Sequence, residues 1–521
     1  MVVPLWPRSL QRRREQSARA VEPRVVIVNW KDRSHPEAGG AETYCENIAD
    51  ELVRSGARVT LLAGSAAGLP AREVRDGVEV RRLGRTLTVY PLALAWMWRH
   101  RHEIDGVLDS QNGFPFFSPL AVGRRTPVAL LIHHVHQDQF AMYFPAPVAW
   151  VGRFLESTAT RVVYGTRAVC AVSPSTRSEV RRRLRLRGPV FVTPNGVTPP
   201  TARVERAAAP TIACVGRLTT HKRWDLLVRA LPDVLAAVPE LTVDMVGTGP
   251  DHDALVDLAA GLGIADRVRF HGWVTTAERD EILGCSWLTV STSVGEGWGL
   301  SIVEAASHGV PAVAFDVPGL RDSVRDGLTG WLTTEDGLGA QLQSSVALLA
   351  DPAVAATTAR ACEAWATSLR WSATADRIRT IFASERDRLR GVGERAGTAA
   401  DMACLVRLDR EAAARVDRWD LDLLDQTNFC HECLHTVDQP VVFLAASDER
   451  GAAQVMARLG FDADDELDYR IARPSDLVQW PAGARLHVHP SVPQGGCPAD
   501  DQASRVVSRT VVALAAEARS A

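Results

Sequence analysis

The strongest constraint on the fold is a rhythm of short apolar runs and helical segments that occurs twice along the chain. Starting at Arg24, RVVIVNW and ARVTLLAG are typical of strands, and AGGAETYCENIADELVRSG between them is typical of a loop and a helix. After a Pro/Ala-rich stretch that ends at Pro210, the rhythm restarts with TIACVGR, ELTVDMVG, DRVRFHG, SWLTVST and PAVAFDV. Such alternation indicates parallel sheets covered by helices. The sequence therefore predicts two α/β halves, joined near residues 197–210.

A chain of 521 residues is long enough for several domains, and composition changes mark where they would end. A helix around Trp371–Arg386 is predicted to close the second half. We predict a basic disordered leader over 1–23, an N-terminal α/β domain over 24–200, a second α/β domain over 201–387, a linker over 388–402 and an accessory segment over 403–521. The leader lacks the apolar core of a signal peptide, and a misassigned start codon is the alternative explanation for it.

Bulk composition narrows the classes of protein that this chain can represent. The net charge of -3 gives no global indication of nucleic-acid binding. The cysteines number nine and are scattered, which favours a reducing compartment and a cytoplasmic location. The chain has no run of about eighteen apolar residues, so we expect no transmembrane helix.

Ligands of open parallel sheets bind beyond the carboxyl ends of the strands, and this rule selects a small set of loops. They are AGGAE, HHVHQ, GRLTTHK, GTGPD, HGWVT and GEGWG. If the two halves face each other, all six loops share one cleft.

Two of these loops have the composition of an anion site. Gly39 and Gly40 precede a helix and would let backbone N–H groups approach an anion, although a simple tight turn explains them equally well. Arg217 and Lys222 follow a strand and open a helix, where two cations would neutralise a pyrophosphate without a metal. The alternative is a solvated helix start.

The loop after ELTVDMV argues against a nicotinamide or flavin enzyme. Gly247 and Gly249 begin a glycine pattern, but its sixth position is His252, whereas the dinucleotide-binding fingerprint needs glycine there.

His133 ends the strand VALLI and would point into the cleft, where a neutral imidazole can hydrogen-bond a sugar hydroxyl or a phosphate. Three histidines in HHVH also suggest a metal site, but strand alternation places His134 on the opposite face from His133. We therefore predict no metal here.

The segment GEGWGLSIVEAASHGV combines glycines with two carboxylates. Glycines at 295, 297 and 299 would admit a ligand, and Glu296 would accept hydrogen bonds from hydroxyl groups. Glu304 could grip a vicinal diol, or it could form a capping box with Ser301 as the N-cap residue. Gly309 is a plausible helix stop.

Taken together, these motifs resemble those of the retaining glycosyltransferases of family 4, which have the GT-B fold. The resemblance covers about residues 24–385 and is carried by five motifs in family order. They are GGAE at the first turn, PNGV, the GR-x4-K of Gly216, Arg217 and Lys222, GTGP with RVRFHGWV, and Glu296-x7-Glu304 within GEGWGLSIVEAASHGVPAVAF. One departure is Arg223 after the lysine, where the family commonly has glycine.

The resemblance implies two facing Rossmann-like domains, an acceptor-side domain over 24–200 and a nucleotide-sugar donor domain over 201–387, with the active cleft between them. It implies catalytic roles for His133, Glu296, Arg217 and Lys222. Arg217 and Lys222 would bind the diphosphate, Glu296 the transferred sugar and Glu304 the ribose. The other donor-binding residues implied are Gly39, Gly40, Gly247, Gly249, Gly297, Gly299 and Leu300.

The activity implied is transfer of a hexosyl group, with retention, from a UDP- or GDP-sugar to a hydroxyl of a glycan, glycolipid or cell-envelope precursor. Neither a cofactor nor an essential metal is expected, because cationic side chains stabilise the leaving diphosphate. A GT-B epimerase or phosphorylase, or a non-catalytic nucleotide-sugar-binding protein, is the alternative.

Two further regions bear on partners. PLALAWMWRHRH at 91–102 and VRRRLRLRG at 180–188 combine apolar and basic residues. Such segments can hold a cytoplasmic enzyme peripherally on the inner face of the cell membrane, and the alternative is a core segment and a solvated helix face. FCHECLH at 429–435 suggests zinc or ordinary thiols and imidazoles, and its segment resembles no family known to us.

Overall fold

The structure, a computed structural model, describes residues 22–390 and five strands between residues 403 and 487. It divides into two compact units, Met1–Leu389 and Arg390–Ala521. No helix in the described part of the chain is long and apolar enough to cross a membrane.

The first half of the larger unit is an eight-stranded sheet in the order β3-β4-β2-β1-β5-β6-β7-β8. All neighbours are parallel except β3 and β4. The strands are β1 Arg24–Val28, β2 Arg58–Ala63, β3 Arg72–Arg75, β4 Val78–Arg82, β5 Gly106–Gln111, β6 Val128–Ile132, β7 Val169–Ala171 and β8 Val190–Val192.

Helices connect these strands and cover the sheet. They are α1 Gly40–Arg54, α2 Val89–His100, α3 Gln139–Tyr143, α4 Ala146–Phe154, α5 Thr160–Tyr164 and α6 Pro174–Glu179. A 3-10 turn lies at Ser118–Leu120, and π-helical turns lie at Leu155–Ala159 and Val180–Leu184. The first π turn joins α4 to α5, so residues 146–164 form one continuous helical stretch.

The second half is a six-stranded parallel sheet in the order β11-β10-β9-β12-β13-β14. Its strands are β9 Thr211–Val215, β10 Thr242–Val246, β11 Val268–Gly272, β12 Leu288–Ser291, β13 Ala312–Phe315 and β14 Gly330–Thr333. Its helices are α7 Trp224–Ala237, α8 His252–Gly261, α9 Thr276–Cys285, α10 Leu300–Ser307, α11 Leu320–Ser323, α12 Leu338–Leu349 and α13 Pro352–Ser368, with a 3-10 turn at Thr220–Lys222. The prediction of two α/β halves with parallel sheets is confirmed.

Strand order fixes where each sheet can bind a ligand. In the first sheet the chain builds outward from β1 to β2 and β4, then restarts on the other side of β1 with β5. In the second sheet it builds from β9 to β10 and β11, then restarts beside β9 with β12. Ligands bind at such switch points, beyond the carboxyl ends of the two central strands. In the second half, those loops are the ones that contain Lys222 and Glu296.

The last helix, α14 Trp371–Arg390, returns to the first half of the chain. Trp371, Ile378 and Phe382 belong to the buried cluster that also contains residues of β1, α1 and β2. Arg377 Nη1 donates to the carbonyl of Val192 at 2.7 Å. The sequence suggested that this helix closes the second half, but its apolar stripe is buried against the first, a placement that periodicity alone does not specify.

The smaller unit contains an antiparallel sheet in the order β18-β15-β17-β16-β19. Its strands are β15 Ala403–Arg407, β16 His431–His435, β17 Pro440–Ala445, β18 Asp468–Ala472 and β19 Arg485–His487. Most of FCHECLH forms β16, but its side chains lie outside the described part of the structure, and the zinc hypothesis stays a prediction. Residues 1–21 of the predicted leader and 391–402 of the predicted linker also lie outside the described residues.

A buried ion pair anchors the loop that follows β1. Arg82, at the end of β4, donates to both carboxylate oxygens of Asp32, with Nη2 to Oδ2 at 2.5 Å and Nε to Oδ1 at 3.2 Å. Both side chains are 0% exposed. Arg82 Nη2 also contacts Glu73, and Arg75 Nη2 lies 3.3 Å from Asp32. This network ties the loop after β1 to strands β3 and β4 at the edge of the first sheet.

Replacing Arg82 with methionine should destabilise the protein by about 3–5 kcal/mol, because the Asp32 carboxylate would stay buried without its main cation. Urea unfolding followed by circular dichroism would measure the change. Arg58→Ala is the matched control, since Arg58 pairs with Glu22 at the surface and its loss should cost at most about 1 kcal/mol. Equal effects of the two substitutions would contradict the importance of the buried pair.

Candidate active site

The switch point of the second half is closed by an ion pair between residues 74 positions apart in sequence. A 3-10 turn after β9 ends at Lys222, and the loop after β12 carries Glu296. Lys222 Nζ lies 2.6 Å from Glu296 Oε1, and the two side chains are 19% and 20% exposed. Lys222 and Glu296, which two separate motifs predicted as site residues, therefore lie together at the switch point of the second sheet.

The environment of Glu296 keeps it ionised. Burial alone would raise the pKa of Glu296, but Lys222 and the hydroxyl of Ser293 outweigh it, so the pKa lies below its ordinary value. Ser293 Oγ donates to Oε1 at 2.7 Å. Both contacts use the same oxygen, which leaves Oε2 for another hydrogen-bond donor. Ser293 was not among the predicted residues, although its position three residues before Glu296 in the same loop was a usable signal.

Gly297 brings the two halves of the larger unit into contact. A Cβ atom at Gly297 would lie 1.7 Å from the carbonyl oxygen of His133. The Thr176 hydroxyl, also from the first half, lies 3.4 Å from the Gly297 carbonyl. Only a residue without a side chain permits this approach. The contact places Glu296 beside the loop that follows β6.

His133 is held as a neutral imidazole. Its Nε2 lies 3.0 Å from Ser110 Oγ, which in turn donates to Asn29 Oδ1 at 2.8 Å. Tyr44 packs edge-on against the ring with centroids 5.4 Å apart. Burial, with a contribution from His136, lowers the pKa of His133 from 6.5 to about 3. The ring can therefore exchange hydrogen bonds with a ligand without carrying charge.

Glu304 lies on α10, further into the helix than a capping box requires. The helix begins at Leu300 with Gly299 as the N-cap residue, and no side chain caps it. The capping-box alternative for Ser301 and Glu304 is therefore wrong. Gly309 follows the last turn with φ +77°, so its predicted role as a helix stop is confirmed.

The carboxylate of Glu304 faces Arg279 of α9, with Oε1 3.3 Å from Nη1. Burial raises the pKa of Glu304, with Arg279 opposing that shift and Asp280 adding to it. Arg279 was not predicted from the sequence, because nothing in its own helix distinguishes it from a solvated arginine.

The remaining glycines permit close approach of neighbouring loops. A Cβ atom at Gly247 would lie 2.0 Å from the carbonyl oxygen of Gly216, and one at Gly249 would lie 2.0 Å from that of Leu218. Both oxygens belong to the loop after β9.

Gly40 of the first half lies opposite Leu300, and a Cβ atom at Gly40 would lie 3.9 Å from Leu300 Cδ2. Gly39 is the N-cap of α1, and Glu42 accepts a hydrogen bond from its backbone N–H at 2.8 Å. A Cβ at Gly299 would lie 3.0 Å from Ser323 Oγ.

Arg217 and Arg223, which both lie in the loop after β9 near Lys222, differ in their ion-pair partners. Arg217 is exposed and makes no ion pair with any residue in the described ranges. Arg223 Nη2 instead pairs with Glu335 at 3.3 Å. Arg223 also has φ 52°, a left-handed conformation that favours glycine, the residue that the family resemblance led us to expect there.

His134 was not among the predicted site residues, yet it lies half-buried on the first-half side of the cleft. Its Nδ1 has no hydrogen-bond partner among the described residues, and its ring packs edge-on against His136 at 5.4 Å. Burial is the main reason that the pKa of His134 falls to about 4, while Glu296 opposes the shift. Within the described ranges, no three His, Cys, Asp or Glu side chains are grouped to hold a metal.

Comparison with known proteins identifies the family of this chain. Residues 38–199 match the family described as "Glycosyltransferase Family 4", and residues 209–351 match "Glycosyl transferases group 1". The D-inositol 3-phosphate glycosyltransferase of Nocardia farcinica is 32% identical over 351 residues, which cover 59% of this chain and 77% of that protein. The chain belongs to glycosyltransferase family 4. The predicted resemblance is confirmed, and the protein is a glycosyltransferase.

Two further likenesses extend over nearly whole proteins. The GDP-mannose-dependent alpha-(1-6)-phosphatidylinositol monomannoside mannosyltransferase of Mycolicibacterium smegmatis is 28% identical over 382 residues, or 68% of this chain and 97% of that protein. The structure of sucrose-phosphate synthase from Thermosynechococcus elongatus superposes with a TM-score of 0.58 at 19% identity, over 71% of this chain and 100% of that one. The second likeness shows the fold alone, and it confirms the predicted GT-B class.

Replacing Gly297 with alanine should lower kcat/KM about a hundredfold, because the added Cβ would collide with the His133 carbonyl and separate the two halves. Nucleotide release from the donor that the protein accepts would measure it. Gly295→Ala in the same loop is the control. A Cβ at Gly295 has nothing within 4 Å, so that change should stay within about threefold. Equal losses would show that the loop tolerates no change anywhere.

The depressed pKa of His133 predicts a specific acid sensitivity. The unfolded chain binds a proton at His133 near the ordinary value of 6.5, whereas the folded chain does so only near 3. As pH falls below about 6.5, unfolding is therefore increasingly favoured by this residue until pH reaches about 3. His133→Gln should flatten the pH dependence of the unfolding free energy in that window. A slope in His133→Gln equal to that of the wild type would refute the assignment.

Proposed function

We propose that the protein moves a hexosyl group, with retention, from a UDP- or GDP-sugar to an acceptor hydroxyl of a glycan, glycolipid or cell-envelope precursor. The observation that supports this most directly is the Lys222–Glu296 pair at the switch point of the second sheet, pressed against His133 through Gly297. It supplies one cation, one hydroxyl-binding carboxylate and one neutral imidazole within a single cleft.

Lys222 and Arg217 are proposed to bind the donor diphosphate. Lys222 is anchored by Glu296, and Arg217 is exposed at the end of β9 where it is free to fold over a ligand. Positive charge aimed at the leaving phosphate stabilises the negative charge that develops there. On this basis we propose that catalysis needs no cofactor and no essential metal.

The two carboxylates are proposed to hold different parts of the donor. Oε2 of Glu296 would accept a hydrogen bond from a hydroxyl of the transferred sugar, since Lys222 and Ser293 both contact Oε1. Glu304 would bind the ribose from its place on α10. The backbone around Gly39, Gly40, Gly247, Gly249, Gly299 and Leu300 would line the rest of the donor site.

The proposed chemical step is a front-face displacement. The bond from the anomeric carbon to the phosphate oxygen breaks, and the bond to the acceptor oxygen forms on the same face. The acceptor proton passes to the departing phosphate oxygen, so no protein group changes its charge overall. His133 would hydrogen-bond the sugar or phosphate as a neutral ring, and a covalent intermediate on Glu296 is not required.

The acceptor assignment draws on relatives. One relative is named for transfer to a phosphatidylinositol monomannoside and another for transfer to D-inositol 3-phosphate. We propose an acceptor presented at the inner face of the cell membrane, with a cytoplasmic enzyme held there peripherally through the basic segments at 91–102 and 180–188. No nucleic-acid partner is proposed.

The test is a panel of UDP- and GDP-sugars, GDP-mannose first, with release of free nucleotide measured with and without a cell lipid extract. Lys222→Ala and Glu296→Ala should each lower turnover at least about a hundredfold, because each removes a charged group from the donor site. Arg223→Asn is the matched control. Its charge faces Glu335, and asparagine tolerates the left-handed backbone, so turnover should stay within about threefold.

Product analysis separates the remaining alternatives. A product whose anomeric configuration by NMR matches the donor supports retaining transfer. An epimerised nucleotide sugar would instead identify an epimerase, and a sugar phosphate a phosphorylase. Donor binding by calorimetry without any turnover, with every acceptor extract, would identify a binding protein.

A further inference from the structure

Polar residues at the carboxyl ends of β1, β5 and β6 form one chain of hydrogen bonds that ends at His133. Asn29 follows β1, Ser110 lies in β5 and His133 follows β6. Ser110 Oγ lies 2.8 Å from Asn29 Oδ1 and 3.0 Å from His133 Nε2. Asn29 and Ser110 are both 0% exposed, so water does not compete for these contacts. The protein itself therefore sets the direction of each hydrogen bond in the chain.

Asn29 fixes the direction at the start of the chain. Its side-chain amide nitrogen can only donate, and its oxygen can only accept. Nδ2 lies 2.8 Å from the backbone carbonyl oxygen of Lys31 and 3.4 Å from Oε1 of Glu42. Oδ1 accepts from Asn112 Nδ2 at 2.6 Å. The opposite amide orientation would set oxygen against the Lys31 carbonyl and nitrogen against the Asn112 nitrogen, so it is Oδ1 that faces Ser110.

Ser110 passes this direction on to His133. A serine hydroxyl has one proton to donate, and here that proton goes to Asn29 Oδ1. The Ser110 oxygen can therefore only accept from His133 Nε2. The buried thiol of Cys45 also hydrogen-bonds Ser110, but sulfur is a weak acceptor and does not draw the Ser110 proton away. Nε2 thus carries the proton of the neutral ring, and Nδ1 is left with a lone pair.

The second ring nitrogen of His133, Nδ1, is open to a ligand. It has no hydrogen-bond partner among the residues that the structure describes, and, unlike Nδ1 of His134, it is not sealed inside the protein. The contact of Gly297 with the His133 carbonyl places Glu296 of the second half beside this residue. A ligand bound by Glu296 therefore lies close to a nitrogen that can accept a hydrogen bond but cannot donate one.

We infer that Asn29 and Ser110 are positioning residues that hold His133 in the Nε2–H tautomer, so that Nδ1 accepts a hydrogen bond from a hydroxyl of the transferred sugar. The oxygens of a diphosphate are acceptors and offer Nδ1 no proton, whereas each sugar hydroxyl has one to donate. Of the two contacts proposed for His133, the contact with the sugar is therefore selected over the contact with phosphate. The identity of the ligand rests on the proposed function, but the tautomer does not.

The experiment is nitrogen NMR of the full chain with isotopically labelled histidine rings, in which the His133 resonances are identified by their loss in His133→Gln. The wild type should show a protonated Nε2 and an unprotonated Nδ1. Asn29→Leu frees the Ser110 proton to face the ring, so exchange between tautomers should move the two resonances toward each other. Asn29→Asp keeps an acceptor for Ser110 and should preserve the wild-type pattern. Ser345→Ala, at a serine that is also 0% exposed but lies in the second half, is the matched control and should change neither resonance.

Ligands added without an acceptor then test the contact itself. A UDP- or GDP-sugar should shift the Nδ1 resonance of His133 as a hydrogen bond to its lone pair requires, whereas UDP or GDP alone should not. Among donor analogues that each lack one hydroxyl of the transferred sugar, one should leave Nδ1 unshifted and bind about tenfold more weakly.

Three results would overturn the inference. A protonated Nδ1 in the wild type, or an Asn29→Leu spectrum identical to that of the wild type in a variant that circular dichroism shows to be folded, would refute the positioning chain. An equal shift of Nδ1 by UDP or GDP alone would refute the sugar contact. Calorimetry that detects no binding of any nucleotide sugar would refute the proposed function and the sugar contact with it, and the tautomer would still be decided by the spectrum of the free protein.

Discussion

One ion pair, between Lys222 and Glu296, sets the geometry of the cleft. Each residue follows a central strand of the second sheet, and the 2.6 Å contact between them holds both loops at the switch point. Because Glu296 is fixed, the neighbouring Gly297 can lie against the His133 carbonyl. This contact positions the first half against the second. The lysine thus acts on the cleft in two ways, as a charge and as a support for the loop that joins the halves.

The two sides of the cleft differ in electrostatic character. The second half contributes fixed charges, with Lys222 and an ionised Glu296 beside the exposed Arg217. The first half contributes His133 and His134, which burial keeps neutral down to about pH 3 and about pH 4. A diphosphate would therefore be attracted to the second half, while the reacting sugar would meet uncharged hydrogen-bonding groups on the first. Such a division keeps charge stabilisation where the negative charge develops.

The sequence was sufficient for the fold class and for the loops that form the cleft, because strand periodicity and the carboxyl-end rule both act locally. It could not show that Glu304 faces Arg279 or that Ser110 orients His133, since those contacts join elements far apart in the chain. The capping-box hypothesis failed for a related reason. Spacing cannot reveal that Gly299, held by Ser323, begins the helix two residues earlier than Ser301 suggested. The sequence likewise predicted α14 as a helix, but it did not show that α14 packs against the first half.

The helical stretch that begins with α4 shows what sequence motifs cannot specify. Residues 146–164 have the composition of an ordinary buried helix, and only the structure shows that alanine and glycine face inward while tryptophan and phenylalanine face out. The π turn at Leu155–Ala159 shifts the helical phase within this stretch and buries Glu156 beneath it, where it fastens the loop after β6. The same carboxylate therefore supports the outward face and the cleft loop.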